Sequence, residues 1–209
     1  MIFVLLPVKA PVNAKQRLSG MLTPERRERL ARLMYEQTLE TLCAARAVDR
    51  VVVVTSDAGA ASHARRAGVM VFDEQEQRSH SHSADAAARR AMSLGAEAVL
   101  LSPIDVPLLT ASEIDGLAAM AAPGLVIVPS SDGTGTNALL RTPPDVIESR
   151  FGPGSFAAHL EQARQRGIRV EVARPPGLMF DLDTPQDVAE LLQRAPGCRV
   201  ARFLCPSGS

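Results

Sequence analysis

The run Arg50-Val51-Val52-Val53-Val54-Thr55 and its counterpart Ala98-Val99-Leu100-Leu101 decide the fold class. Neither alternates apolar with polar residues, as a half-solvated strand would. Both read as strands buried on two faces, the mark of a largely parallel sheet covered by helices. Working outward, further short runs predict strands at Ile2–Val8, Val69–Phe72, Leu125–Val128, Ala138–Arg141 and Arg169–Val172. Between them lie helical patterns at about Pro24–Arg46, Gly59–Ala67, Ala84–Leu94, Ala111–Ala121, Ser155–Arg166 and Pro185–Arg194. Thr23 and Thr184 each precede a proline, a pairing of N-cap and first helical position that starts a helix. The repeated alternation predicts an α/β fold, a single-domain three-layer sandwich over residues 1–194 with a mostly parallel sheet. Residues 195–209, with two Pro, two Gly and a small-residue end, read as a loosely ordered tail.

Composition excludes several classes of function. Among 209 residues, 23 Lys+Arg balance 23 Asp+Glu, so the electrostatic footprint of a nucleic-acid binder is missing. With no Trp, one Tyr and six Phe there is no stacking platform for single strands. No apolar run approaches the ~20 residues needed to span a bilayer. The N-terminus is apolar first and basic afterwards, the reverse of a secretory signal. A cytoplasmic protein is expected, with neither nucleic acid nor membrane as partner. Three cysteines without CxxC spacing argue against a disulfide framework or zinc site. Cys43, within a helical pattern, reads as a small core residue. Neither GxSxG nor GxxxxGK[ST] occurs, which removes serine hydrolases and Walker-type ATPases.

In open α/β sheets, ligands bind beyond the carboxyl ends of the strands, so the post-strand loops carry the candidates. The first, Pro7-Val8-Lys9-Ala10-Pro11-Val12-Asn13-Ala14-Lys15-Gln16-Arg17-Leu18, places Lys9, Lys15 and Arg17 where they could meet a polyphosphate or simply face water. Ser102-Pro103-Ile104-Asp105-Val106-Pro107 sets an acid among apolar residues and prolines, where a carboxylate must be paired, hydrogen-bonded or metal-bound. Asp132-Gly133-Thr134-Gly135-Thr136-Asn137 is open to two readings, an anion-binding loop or a tight hairpin. Phe151-Gly152-Pro153-Gly154-Ser155-Phe156 leads into a helix, so Ser155 and the first-turn amides could hold an anion or merely cap the helix.

Asp181-Leu182-Asp183-Thr184-Pro185-Gln186-Asp187 puts two acids at period two on an extended segment, pointing to one side. With Asp105 they supply three carboxylates for Mg²⁺, a hard cation that favours oxygen ligands and phosphates. The alternative has Asp183 or Thr184 capping the last helix. Arg78-Ser79-His80-Ser81-His82-Ser83 reads as a solvated polar loop rather than a metal site.

Taken together, PVKAPVNAKQRL, SPIDVPLLT, DGTGTNALL, FGPGSFAAHL and DLDTPQD, in that order over residues 1–194, resemble the phospholactate/phosphoenolpyruvate guanylyltransferases of coenzyme F420 biosynthesis. These are small relatives of the molybdenum-cofactor guanylyltransferases and of GT-A-like nucleotidyltransferases. The resemblance implies that GTP joins a three-carbon phospho-acid (2-phospholactate, phosphoenolpyruvate or 3-phosphoglycerate), giving a GMP-diphosphate adduct and pyrophosphate. It implies Asp105, Asp181 and Asp183 as Mg²⁺ ligands, and Thr136, Gly152 and Ser155 as the groups that hold the acid's carboxylate. Lys9, Lys15 and Arg17 then face the GTP phosphates, Lys15 with a catalytic role. A downstream transferase consuming the unstable adduct is the implied protein partner.

One stretch departs from the family pattern. Where relatives commonly open the middle helix with Gly-Leu-Asn, this chain has Ser83-Ala84-Asp85, and Asp85 is the expected acceptor for guanine. Two other functions share the fold: a molybdopterin- or cytidylyl-type transferase, and a non-catalytic nucleotide-binding protein.

Overall fold

Strand β1 (Ile2–Val8) sends Val4, Leu6 and Val8 into one apolar layer and Phe3 and Leu5 into the other, and all five are buried. The same division runs through β2 (Arg50–Thr55), where Val53 faces one side while Val52 and Val54 face the other. It recurs in β4 (Ala98–Leu101). Such strands have no solvent face, so helices must cover both sides. Against one side lie α1 (Pro24–Ala44), α2 (Ala58–Arg66) and α4 (Ala111–Ala119). Against the other lie α3 (His80–Ser93) and α5 (Ser155–Gln165). The result is the expected three-layer α/β sandwich. The computed structural model describes residues 1–11, 14–74 and 79–205; Val12 and Asn13 of the N-terminal loop, Arg78 and residues 206–209 of the tail lie outside these.

With β3 (Met70–Asp73), β5 (Gly124–Pro129), β6 (Thr136–Thr142) and β7 (Val170–Val172), the sheet has seven strands in the order β3-β2-β1-β4-β6-β5-β7. All neighbours are parallel except around β6, which runs antiparallel to both β4 and β5. This inversion has a functional effect. The amino end of β6 lies at the edge where the parallel strands finish, so Thr136 and Asn137 join the post-strand loops.

Two sequence expectations change. The middle helix begins at His80 rather than Ala84, so the His/Ser segment is helical. Ser79 supplies the reason: its hydroxyl accepts from the His82 amide as an N-cap. The tail is also ordered as far as residue 205. After α6 (Pro176–Met179) and α7 (Pro185–Arg194), the chain forms α8 (Arg199–Leu204), whose Val200 and Ala201 are buried with Leu30, Met34 and Leu191 in a third apolar cluster. Arg26 and Arg29 of α1 lie over the Phe203 ring, and Arg199 pairs with Glu36 and Glu40. The apolar face Val200-Ala201-Phe203-Leu204 is too short to reveal its period from sequence among the flanking prolines and glycines.

This packing has a measurable consequence. Deleting residues 196–209 removes Val200 and uncovers Leu191. Burial of one such side chain stabilises by roughly 1.5–3 kcal/mol, so urea unfolding should show a loss of at least about 2 kcal/mol. An unchanged midpoint would mean that α8 does not contribute to the core.

Candidate active site

Lys15 organises one end of the cleft. Its Nζ lies 2.9 Å from Asp105 Oδ2 and 2.6 Å from Asp183 Oδ1, with its side chain 7% exposed. The residue has φ 52° and ψ 44°, a left-handed conformation that side chains other than glycine seldom adopt. Such strain costs on the order of 1–3 kcal/mol. Removing a partner would strand the buried ammonium, at a cost of roughly 3–5 kcal/mol. Asp183 is the more solvated partner, which places most of that weight on Asp105.

Three parts of the chain meet here. Asp105 follows β4, Lys15 follows β1, and the 181–183 segment is laid beside Asp105 by a bond from the Leu182 amide to the Asp105 carbonyl, 2.9 Å. Gly177 in α6 makes that course possible, because a Cβ there would collide with the Leu108 carbonyl. Asp187 accepts from the Asp183 and Thr184 amides and, with Thr184, forms the capping box of α7. Thr184 is therefore the cap, and the Asp183 carboxylate is left for the cleft.

Burial pushes Lys15 toward deprotonation, but Asp105 and Asp183 override it and raise its pKa above the ordinary value. Burial alone would lift Asp105; the Lys15 ammonium brings it below the usual carboxylate range. Asp181 behaves in the opposite way. Burial raises its pKa, the neighbouring charges of Asp105 and Asp183 add to the rise, and the Asn137 amide, 3.3 Å away, opposes it only in part. Two carboxylates thus share one ammonium while Asp181 beside them has none, and the surplus negative charge suits a divalent cation. Among the described residues no three ligands already form a cation cage; Lys15 Nζ is the positive charge between Asp105 and Asp183. Lys9 and Arg17 line the same cleft, exposed and without ion pairs among the described residues.

The cleft, of about 1300 Å³, continues to Thr136, Gly152 and Ser155. Thr136 Oγ1 is 3.0 Å from His159 Nδ1. Gly152 has φ +127°, a backbone available to glycine. Gly154 is the N-cap of α5 and Ser155 its first residue, so Ser155 is buried at the helix start without capping it. The first-turn amides are less available than expected: Ser155 N–H donates to Gly152 O and Phe156 N–H to Thr134 O. The Asp132–Gly135 stretch is the tight hairpin. Asp132 accepts from Ser130, the Thr134 amide and the Thr134 hydroxyl, which hold its carboxyl down at about 2.

Residues 2–206 match the family model described as guanylyl transferase CofC like. The chain belongs to this family. It is 40% identical over 195 residues to the phosphoenolpyruvate guanylyltransferase of Sphaerobacter thermophilus, covering 91% of this chain and 92% of that one. It is 31% identical over 203 residues to the 2-phospho-L-lactate guanylyltransferase of Methanothermobacter thermautotrophicus, covering 96% and 88%. A solved nucleotidyl transferase from the same Methanothermobacter species superposes with a TM-score of 0.65 at 17% identity, covering 91% and 95%, which speaks for the fold alone. This CofC-like chain is a nucleotidyltransferase with the GT-A-like architecture that its motifs resemble. Among the described residues, no helix is long and apolar enough to cross a membrane.

In this CofC-like structure Asp105, Asp181, Asp183, Lys15, Lys9, Arg17, Thr136, Gly152 and Ser155 share one cleft. Asp85 does not belong with them. Its carboxylate accepts from Arg141 Nη1 at 2.7 Å and from the Ser149 amide and hydroxyl. Arg141 is 1% exposed and needs a counter-charge, which overturns the expectation that Asp85 reads guanine. Cys43 is exposed rather than in the core. Sequence reasoning missed three cleft residues or their supports. His80 lines the cleft against the Phe151 ring. Asn137 donates to Leu178 O, Met179 O and Asp181. His159 was legible in principle, since it lies four residues after Ser155 and so on the same helix face.

Two substitutions test this geometry. Asp85→Ala leaves the buried Arg141 charge uncompensated and should destabilise by about 3 kcal/mol or more, while KM for GTP stays unchanged; a large rise in that KM with normal stability would restore Asp85 to the nucleotide. Because the folded pKa of Asp181 is raised, its penalty grows as pH climbs from 3.8 through the folded value and persists above it. Asp181→Asn should therefore raise the melting temperature at neutral pH in chelator, by about 2–4 °C per kcal/mol relieved. The gain should vanish on acidification below pH 3.8. A gain that is independent of pH would mean that charge repulsion is not its source.

Proposed function

We propose that this protein condenses GTP with a three-carbon phospho-acid, phosphoenolpyruvate first among them, to a GMP-diphosphate adduct, with release of pyrophosphate, as a step of coenzyme F420 assembly. The observation that carries the reading is the Asp105–Lys15–Asp183 assembly with Asp181 beside it, at one end of a cleft whose other end holds Thr136, Gly152 and Ser155. Membership in the CofC-like guanylyl transferases supports the nucleotide. Phosphoenolpyruvate is favoured because three relatives at 40%, 38% and 36% identity carry that substrate in their names.

In the proposed reaction, a phosphate oxygen of the acid attacks the α-phosphorus of GTP in line. The α–β bridging P–O bond breaks and its electrons leave with pyrophosphate. Little covalent work falls to the protein; positioning and charge neutralisation decide the rate. Thr136, Ser155 and the Gly152 amide hold the carboxylate, which turns the phosphate toward the nucleotide. Lys9, Lys15 and Arg17 offset charge on the triphosphate. Asp105, Asp181 and Asp183 would hold Mg²⁺, which supplies Lewis-acid stabilisation of phosphoryl oxygens when bound. Their oxygen-only chemistry and surplus negative charge fit that ion.

Pyrophosphate release in GTP and Mg²⁺ with phosphoenolpyruvate, 2-phospholactate and 3-phosphoglycerate in turn tests the reading. Phosphoenolpyruvate should turn over fastest. No release with any of the three would defeat the proposal. Asp105→Asn should lower kcat at least about a hundredfold, since an ion of this kind supplies several kcal/mol at the transferring phosphorus and each 1.36 kcal/mol is tenfold. A melting curve on the same variant separates lost chemistry from lost fold.

A further inference from the structure

The hydrogen bonds around His159 have a direction that can be read from heavy atoms alone. The ring is fully buried on α5. The Arg150 backbone N–H points at Nε2 across 2.8 Å. A backbone amide can only donate, so Nε2 must present a lone pair. A neutral imidazole then carries its single proton on Nδ1, which lies 3.0 Å from Thr136 Oγ1. The ring donates and the hydroxyl accepts. No other residue among those described accepts from the Thr136 hydroxyl, whose own hydrogen is free for the cleft that Thr136 lines.

We propose that His159 is a positioning residue that acts through Thr136: the relay from Arg150 N–H to His159 to Thr136 makes the Thr136 hydroxyl a committed donor to an anionic oxygen of the acid substrate. The proposal rests on the reading that Thr136 faces the acid's carboxylate. A hydroxyl left to itself can rotate and serve as acceptor or donor. With one lone pair engaged by Nδ1–H, the O–H is confined to the directions left to it, so it meets an incoming carboxylate partly oriented and less ordering is needed on binding. The ring stays neutral across the working range, because burial pulls its pKa down to about 4, with the nearby Arg141 and Arg150 charges adding to the fall and Asp85 opposing it. Phe151 packs edge-on against the ring, 5.5 Å between centroids, and helps hold its plane.

Kinetics with phosphoenolpyruvate and GTP varied in turn, on single and double variants, test the proposal. Thr136→Val should raise KM for the acid about ten- to a hundredfold, the value of one hydrogen bond to a charged group. His159→Phe should raise the same constant by a comparable factor and leave KM for GTP unchanged. His159→Asn, whose amide can take the place of Nδ1, should recover most of the loss. The deciding measurement is Thr136→Val combined with His159→Phe. If His159 acts through Thr136, the double variant is no worse than Thr136→Val alone. Multiplying effects would mean that His159 merely supports the 150–154 loop, and would overturn the proposal. Nitrogen NMR of the wild-type ring needs no variant to fold: a proton on Nδ1 alone is expected, and one on Nε2 overturns the relay. If Thr136→Val leaves the acid's KM untouched, the carboxylate reading itself has failed. If only His159→Phe is silent, the reading stands and the relay falls.

Discussion

The ion pair from Lys15 to Asp105 and Asp183 is the constraint on which the rest of the cleft depends. It joins three segments remote in sequence, and no backbone ladder connects those side chains. The pairing accompanies a left-handed Lys15 backbone and keeps Asp105 ionised at the sheet edge. It leaves Asp181 as the uncompensated member. That asymmetry leaves the group of acids short of positive charge, whereas a fully paired group would be electrically satisfied.

The sheet explains why this ion pair and the Thr136–Ser155 end share one cleft. Parallel strands β1 and β4 deliver Lys15 and Asp105 from their carboxyl ends. Antiparallel β6 delivers Thr136 and Asn137 from its amino end to the same edge. Helix α5 then returns across the far face, bringing Ser155 and His159 to Thr136, while α6 brings Asp181 to Asn137.

Most of this was legible in the sequence. The valine and leucine runs fixed the double-sided sheet because they leave no polar face, and the motif loops fell on the cleft because post-strand loops must. What was hidden depended on distance in three dimensions. Asp85 looked like a base reader because nothing local shows that Arg141 lies opposite it, buried and in need of charge. Ser155 reads equally as an anion holder or a cap, and only the structure gives the cap position to Gly154. The His80 segment looked solvated because its apolar neighbour, Phe151, comes from a distant loop. Helix α8 was invisible because its partners are on α1 and α7, and six residues are too few to show a helical period.

Consecutive residues Thr136 and Asn137 serve opposite faces of the sheet, one reaching His159 and the other Asp181. A strand has a period of two, so sliding β6 by a single position would exchange the two faces and misassign both halves of the cleft at once. The ladder between β5 and β6 shifts register between Val128 and Pro129, with Ala138 opposite the first and Thr136 opposite the second, so Asn137 is the extra residue at that point. This irregularity, rather than the exposed loop before it, decides which face each of the two side chains serves, and closing it would turn one of them away from its partner.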